Sequence, residues 1–198
     1  MNYPDFFNKI PTIKLQDDLS DFLGTFEDGI VEFSYLDIIK SAGHSCPTVL
    51  GAYLMTYKAL NFLYENEFPK RGDIRVEFSD RQIDGVTGVI SNVVSNITGA
   101  TFDSGFKGIA GNFDRRNLMF FNREINSNIK FTRRDTQKSV EIFYDISGVG
   151  MSERLQELMK KAVSKMASKE ELKEFGTIWQ QRVEEIFLNM DKLIKIQS

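Results

Sequence analysis

One apolar stretch stands out along the chain and predicts a buried helix. Residues 47–64, PTVLGAYLMTYKALNFLY, are apolar on almost every side, and Lys58 is their only charged member. A helix that is hydrophobic all round is buried rather than half-exposed. Pro47 favours a helix start, because proline is common at the first helical position and pushes the preceding Cys46 out of the helical region. The pattern therefore predicts a central helix that begins directly after Cys46.

The segments around this helix alternate between strand and helix spacing. Ile74, Val76 and Phe78 alternate with charged residues, which predicts a half-buried strand. Apolar residues recur every three or four positions through 86–98, which predicts a helix that ends before Gly99. The other elements predicted before residue 148 are a helix carrying Leu15, Leu19, Phe22 and Leu23, a strand with a helical turn in GIVEFSYLDIIKSAG, and strands in LMFF, NIKFTRR and KSVEIFYDI.

Beyond Gly148 and Gly150 the pattern is helical. One apolar stripe runs from Leu155 to Met166, and a second runs from Leu172 to Ile194 behind a capping box formed by Ser168 and Glu171. The fold class is therefore α+β, with helices packed on a mixed β-sheet and a C-terminal helical pair. We expect an α+β domain over residues 1–148 and a C-terminal helical extension over 149–198.

Composition narrows the class of protein. The net charge is −3, and the densest basic spots are the pairs Arg115-Arg116 and Arg133-Arg134, which we expect to be solvated surface. No clustered positive face of the kind that binds nucleic acid is visible. No apolar run approaches the roughly 18 residues of a membrane span, and no secretory signal pattern opens the chain. With one cysteine there is no intrachain disulfide, so we expect a soluble cytoplasmic protein.

The only histidine and the only cysteine, His44 and Cys46, lie two positions apart in the sequence GHSCP. A sulfur at a helix N-terminus faces unpaired N–H groups, which favours thiolate, the form that binds metals. A neutral imidazole is a common metal ligand as well. Three interpretations stay open from spacing alone: a buried small cysteine beside a satisfied histidine, a metal site, and a Cys/His nucleophile pair that lacks an identifiable third group.

The glycine-rich connection GATFDSGFKGIAGNFDRRN leaves two interpretations open. Glycines let backbone approach a ligand closely, and Lys107, Arg115 and Arg116 could attract an anion. Turns between strands also use glycine, and no phosphate-loop motif is present.

Two of these segments together resemble the FmdE-like family of formylmethanofuran dehydrogenase proteins. GHSCPTVLGAYLM and TGATFDSGFKG are similar to the family's His-x-Cys-Pro helix start and its later glycine segment, over roughly residues 30–120. The resemblance implies an α+β domain similar to the half-sandwich of glyceraldehyde-phosphate dehydrogenases. It also implies that His44 and Cys46 bind a metal, with zinc favoured over other divalent transition metals.

The chain departs from that family in its cysteines. Family members carry further cysteines in the segment that is FSDRQIDGVTG here and at the position of Ala100, and some end in a zinc ribbon that this chain lacks. Tetrahedral zinc needs two more ligands. The candidates are Asp80, Asp84, a water, a small-molecule ligand and groups from a second copy of the chain, and we expect a homodimer.

The leading hypothesis is a metal-binding protein of unknown substrate, with no catalytic residue assigned and enzyme activity left open. One alternative is a non-catalytic assembly or interaction protein with a vestigial metal site. A second is a thiol-based redox or acyl-transfer protein that uses Cys46.

Overall fold

A mixed five-stranded sheet forms one layer of the molecule in a computed structural model, which describes residues 2–198. The strands are β1 (Ile13–Gln16), β2 (Ile30–Phe33), β3 (Ile74–Phe78), β4 (Met119–Phe120), β5 (Ile129–Arg133), β6 (Ser139–Tyr144) and β7 (Ile194–Gln197). The main sheet has the order β4-β3-β5-β6-β7, in which only the β3–β4 pair is parallel. Strands β1 and β2 form a separate antiparallel pair.

Helices cover one face of the main sheet. They are α1 (Asp18–Phe22), α2 (Tyr35–Ala42), α3 (Pro47–Tyr64), α4 (Thr87–Thr98), α5 (Glu153–Val163), α6 (Lys169–Leu188) and α7 (Met190–Leu193). Helix α3 contacts α2, α4 and α6 as well as three strands of the sheet. None of the helices among residues 2–198 is long and apolar enough to cross a lipid bilayer.

The two faces of the main sheet differ in how deeply their side chains are buried. Val76, Phe131 and Ile142, on three neighbouring strands, are fully buried in the core beneath α3. The opposite face carries charged residues, and Lys130 lies between Glu77 and Glu141 in the strand register. Opposite charges at facing positions stabilise a sheet, and antiparallel sheets commonly leave one face in water. The α+β class with helices on a mixed sheet and a C-terminal helical pair is confirmed.

Most local predictions are confirmed. Helix α3 occupies the predicted residues, and α4 ends at Gly99, whose φ of 73° is left-handed. The capping box of α6 is present: Ser168 Oγ accepts from the backbone N–H of Glu171, and the Glu171 carboxylate accepts from the backbone N–H of Ser168. Strands β3 to β6 and the strand–helix segment β2–α2 also lie where the pattern placed them.

Two predicted helices have the wrong limits. Leu15 lies in strand β1, and α1 starts only after Asp17, whose side chain accepts from the N–H groups of Leu19 and Ser20. A helix cannot extend before the residue that caps it.

At the other end of the chain, α6 stops at Leu188, so the predicted stripe to Ile194 is not one helix. Ile194 instead opens β7, which pairs with β6 opposite Tyr144. The main sheet thus takes an edge strand from the segment 149–198, and Val183 and Ile186 of α6 lie in the same core as α3. The division at residue 148 stays a prediction.

The expectation of solvated basic pairs is wrong for one member of each pair. Arg115 and Arg133 are only 6% and 9% exposed. Arg115 donates to the buried carboxylate of Asp17, which also accepts from Arg71. Burial alone would raise the pKa of Asp17, but the hydrogen bond from Arg71 and the charges of Arg115 and Arg71 hold it below its usual range.

We expect Asp17→Asn to lower the free energy of unfolding by about 3 kcal/mol at pH 7, because it strips two largely buried guanidinium groups of their shared carboxylate. The depressed pKa means that this stabilisation is complete above the unfolded pKa of about 3.9 and is lost as pH falls through the folded value. Urea unfolding between pH 7 and pH 3 measures both effects. The matched control is Asp84→Asn, whose solvent-exposed pair with Arg81 should contribute little to stability. Equal losses in the two variants would contradict the prediction.

Candidate functional site

Cys46 caps the N-terminus of α3. Its backbone is extended, with φ −150° and ψ 168°, and Pro47 follows as the first helical residue. The sulfur accepts a hydrogen bond from the backbone N–H of Val49, with N and Sγ 3.4 Å apart. Such N–H groups and the positive end of the helix dipole stabilise negative charge near a helix N-terminus. The side chain is partly buried, so the thiol lies at the edge of the core.

His44 is exposed, on the loop that joins α2 to α3. Helix α2 ends at Gly43 in a left-handed conformation with φ 78°, which turns the chain toward His44. The Nδ1 atom of His44 lies 3.0 Å from the carbonyl oxygen of Ala42. A carbonyl oxygen only accepts, so Nδ1 carries a proton, and in the neutral imidazole the lone pair is then on Nε2. Metal-binding histidines use this same arrangement, in which the second ring nitrogen donates to a carbonyl.

Ser45, between the two candidate ligands, is held from two sides. Its carbonyl oxygen accepts hydrogen bonds from Trp179 Nε1 and Gln180 Nε2, both at 3.1 Å and both on α6. Its hydroxyl is hydrogen-bonded to the hydroxyl of Tyr35 at 2.8 Å. The C-terminal helix therefore fixes the backbone of the loop that carries His44 and Cys46.

Tyr144 packs directly on the first turns of α3. Its hydroxyl donates to the carbonyl oxygen of Pro47 at 2.8 Å. A Cβ atom at Gly51 would lie 2.3 Å from the Tyr144 ring, so only glycine lets the ring lie against the helix. This contact explains a glycine in the interior of a buried helix, where it otherwise costs stability.

Two phenols lie within electrostatic range of the thiol. Burial raises the pKa of Tyr35, to which the charge of Cys46 adds. Burial also raises the pKa of Tyr144, against the opposing charge of Arg182, and Cys46 again adds to the increase. Both hydroxyls stay protonated near neutral pH and are already hydrogen-bonded, so neither is available as a general base.

The chain does not assemble a complete metal shell. Across residues 2–198, no three His, Cys, Asp or Glu side chains lie close enough together to hold a metal ion. The carboxylate of Asp84 instead forms two hydrogen bonds with Arg81, at 2.9 and 3.0 Å. Neither Asp80 nor Asp84 therefore joins His44 and Cys46 as a third ligand within one chain.

His44 and Cys46 also have different surroundings. His44 lines an open cavity of about 360 Å³ between the end of α2 and one side of α4, where Val89 and Asn96 are among its neighbours. Cys46 is not among the residues that line this cavity, and its neighbours are the phenols of Tyr35 and Tyr144.

Sequence reasoning missed the residues that support the loop: Tyr35, Tyr144, Trp179 and Gln180. Gly51 was a usable signal, because a glycine inside a fully apolar helix predicts close approach by another group. Nothing in the sequence indicated which side chain approaches it.

Gly51→Ala tests this packing. We expect the variant to lose about 1–3 kcal/mol of unfolding free energy, because the added methyl group displaces the Tyr144 ring. Gly176→Ala is the matched control, since that glycine lies inside α6 with no atom near the added Cβ. The control should gain about 0.5–1 kcal/mol from helix propensity. Thermal or urea unfolding of both variants checks the opposite signs, and a stabilised Gly51→Ala protein would refute the contact.

Comparison with protein families gives a match over most of the chain. Residues 42–195 match the family described as FmdE, molybdenum formylmethanofuran dehydrogenase operon. The match begins directly before the sequence GHSCP and extends into β7, so it covers the site loop, the main sheet and the helices α5 and α6. A comparison with curated proteins found no match. The family match includes the site loop at the start of α3 and the sheet beneath that helix. The chain belongs to the FmdE family.

Proposed function

We propose that this protein binds one divalent metal ion, with zinc favoured, through Nε2 of His44 and the thiolate of Cys46. The observation that carries the proposal is the hydrogen bond from His44 Nδ1 to the Ala42 carbonyl, which leaves Nε2 free. The hydrogen bond from the Val49 N–H holds the Cys46 sulfur in place at the start of α3. One nitrogen and one sulfur donor are ligands that zinc prefers.

The two residues would supply half of a tetrahedral shell. The other ligands come from outside the single chain: water, a bound small molecule or a second copy. When bound, such an ion supplies Lewis-acid polarisation of a carbonyl group or a lowered pKa of water. The residues of the chain hold the two donors in place: Ala42 orients the imidazole, and the α6 side chains fix the Ser45 carbonyl between the donors.

We do not assign a reaction to this site. The nearby phenols of Tyr35 and Tyr144 are protonated and hydrogen-bonded, so no general base is identified beside the thiol. The name of the family describes an operon rather than a ligand of this chain.

A homodimer is the second part of the proposal. Ile83, Val86 and Val89, at and before the first turn of α4, are 82%, 51% and 38% exposed. Exposed apolar side chains that lie close together mark interaction surfaces, and Val89 lines the same cavity as His44. A second copy on this surface would bring further ligands toward His44. A single free thiol also suits the reducing cytoplasm, where we place the protein.

A role as an interaction protein is the alternative function. Val163 and Met166, where α5 ends before α6 begins, are 79% and 74% exposed and offer an apolar contact to a partner. A redox function of Cys46 has less support, because the chain holds no second cysteine to form an internal disulfide.

Zinc content separates these functions. We expect about one zinc per chain in wild-type protein purified from zinc-supplemented cells, and at least a tenfold loss in His44→Ala and Cys46→Ala. Asp84→Ala is the control, since its carboxylate is held by Arg81 and should leave zinc content unchanged. Elemental analysis of folded samples, checked by circular dichroism, measures all four proteins.

A wild-type protein without zinc would contradict the metal proposal, as would His44→Ala and Cys46→Ala variants that retain zinc. Light scattering on the same zinc-loaded sample tests the dimer. A monomer mass would remove the homodimer from the proposal while leaving the zinc site standing.

A further inference from the structure

A large polar cleft lies at a different place from the loop of His44 and Cys46. It has a volume of about 690 Å³, within the range of small-molecule sites. Asp18 of α1 and three further segments line it: residues 70–73 before β3, residues 111–118 before β4, and Arg134 and Asp135 after β5. Neither His44 nor Cys46 contributes to its walls, so it is independent of the proposed metal site.

Arg115 lines this cleft with unused hydrogen-bond donors. Its side chain is only 8% exposed, and its guanidinium forms one side-chain hydrogen bond, from Nη2 to Asp17. Among residues 2–198, Nη1 and Nε of Arg115 have no acceptor. Neither atom is among the buried side-chain atoms that lack a partner, so both are accessible from the cleft although the side chain as a whole is more than nine-tenths buried. A guanidinium that is held in place and keeps accessible N–H groups at a cleft wall can bind an anionic ligand there.

Two glycines allow this arrangement of Arg115. A Cβ atom at Gly72 would lie 1.2 Å from Nη1 of Arg115, so the guanidinium occupies the space that a side chain would fill. A Cβ atom at Gly99 would lie 3.3 Å from Nη1 of both Arg115 and Arg71. The two guanidinium groups therefore lie against the same glycine.

These two guanidinium groups share a single carboxylate, that of Asp17. The other cations of the cleft each have their own partner: Arg116 with Asp114, Arg134 with Asp73, and Lys70 with Asp18. Asp135, the remaining carboxylate of the cleft wall, pairs with Arg133, which does not line the cleft. The charges of the cleft therefore balance as a whole, and the excess of positive charge is local to Arg71 and Arg115, where two cations share one carboxylate. A planar guanidinium with free N–H groups matches the oxygens of a carboxylate or phosphate.

We propose that this cleft binds a small organic anion through a carboxylate or phosphate group, with Arg115 in direct contact and Arg116 at the rim. Of the three basic residues that the glycine-rich sequence offered for an anion, Arg115 and Arg116 line the cleft and Lys107 does not. The positive charge of Arg115 selects an anionic group on the ligand. The cleft volume of 690 Å³ limits the size of the rest of the ligand.

The test is a titration followed by NMR. The backbone amide signals of Gly72 and Gly111, which both line the cleft, are followed in separate titrations with sodium phosphate and sodium succinate. Sodium chloride at matched ionic strength is the blank. We expect saturable shifts with at least one of the two anions, and the one that saturates identifies the binding group.

Charge variants locate the site. Arg115→Lys keeps the positive charge but loses the guanidinium N–H pair, and Arg116→Gln removes a rim charge; each is expected to weaken binding about tenfold. Arg154→Gln is the matched control, because it removes an arginine whose carboxylate partners lie on α5 and α6. If Arg115→Lys does not fold, Arg116→Gln decides.

Shifts that follow the chloride blank, or equal affinities in Arg116→Gln and Arg154→Gln, would overturn the proposal. Cys46→Ala separates it from the metal site, since that variant should lose zinc and still bind the anion with wild-type affinity.

Discussion

The chain enters the central helix through Cys46 and Pro47, and the layers of the fold pack against the helix that follows. The carbonyl group immediately before this entry, that of Ser45, accepts two hydrogen bonds from side chains of α6 that lie 134 and 135 residues further along. Tyr144, at the end of β6, closes the first turn from the side of the sheet. The start of α3 is thus fixed by a helix, a strand and its own capping sulfur.

This constraint gives the C-terminal segment a structural part in the site. Helix α6 supplies both donors to the Ser45 carbonyl, and β7 closes the edge of the main sheet beside β6. Lys58, the only charge in α3, is bound at 2.7 Å by Asp191 of α7, so the same segment also pairs the one charged group of the central helix. The C-terminal helices and strand therefore support the loop that carries His44 and Cys46.

Features that depend on local chemistry were predictable from sequence. The limits of α3, the end of α4 at Gly99 and the capping box at Ser168 follow from residues within a few positions of each other. The placement of Cys46 at a helix start is of the same kind. Features that join distant residues were not predictable. The burial of Arg115 depends on Asp17, 98 residues away, and nothing near Arg115 in the sequence indicates it. Ile194 continues a helical spacing, yet pairing with β6 makes it part of a strand.

The central claim is that His44 and Cys46 of one chain form half of a metal shell whose other ligands come from elsewhere. X-ray absorption at the zinc edge of the zinc-loaded protein tests this claim most directly. The method distinguishes the ligands by distance, because a zinc–sulfur bond is about 2.3 Å long and zinc bonds to nitrogen or oxygen are about 2.0–2.1 Å long. We predict one sulfur and three nitrogen or oxygen neighbours in the wild-type protein, and too little bound zinc in Cys46→Ala to give this shell. A zinc shell without sulfur in the wild-type protein would contradict the account.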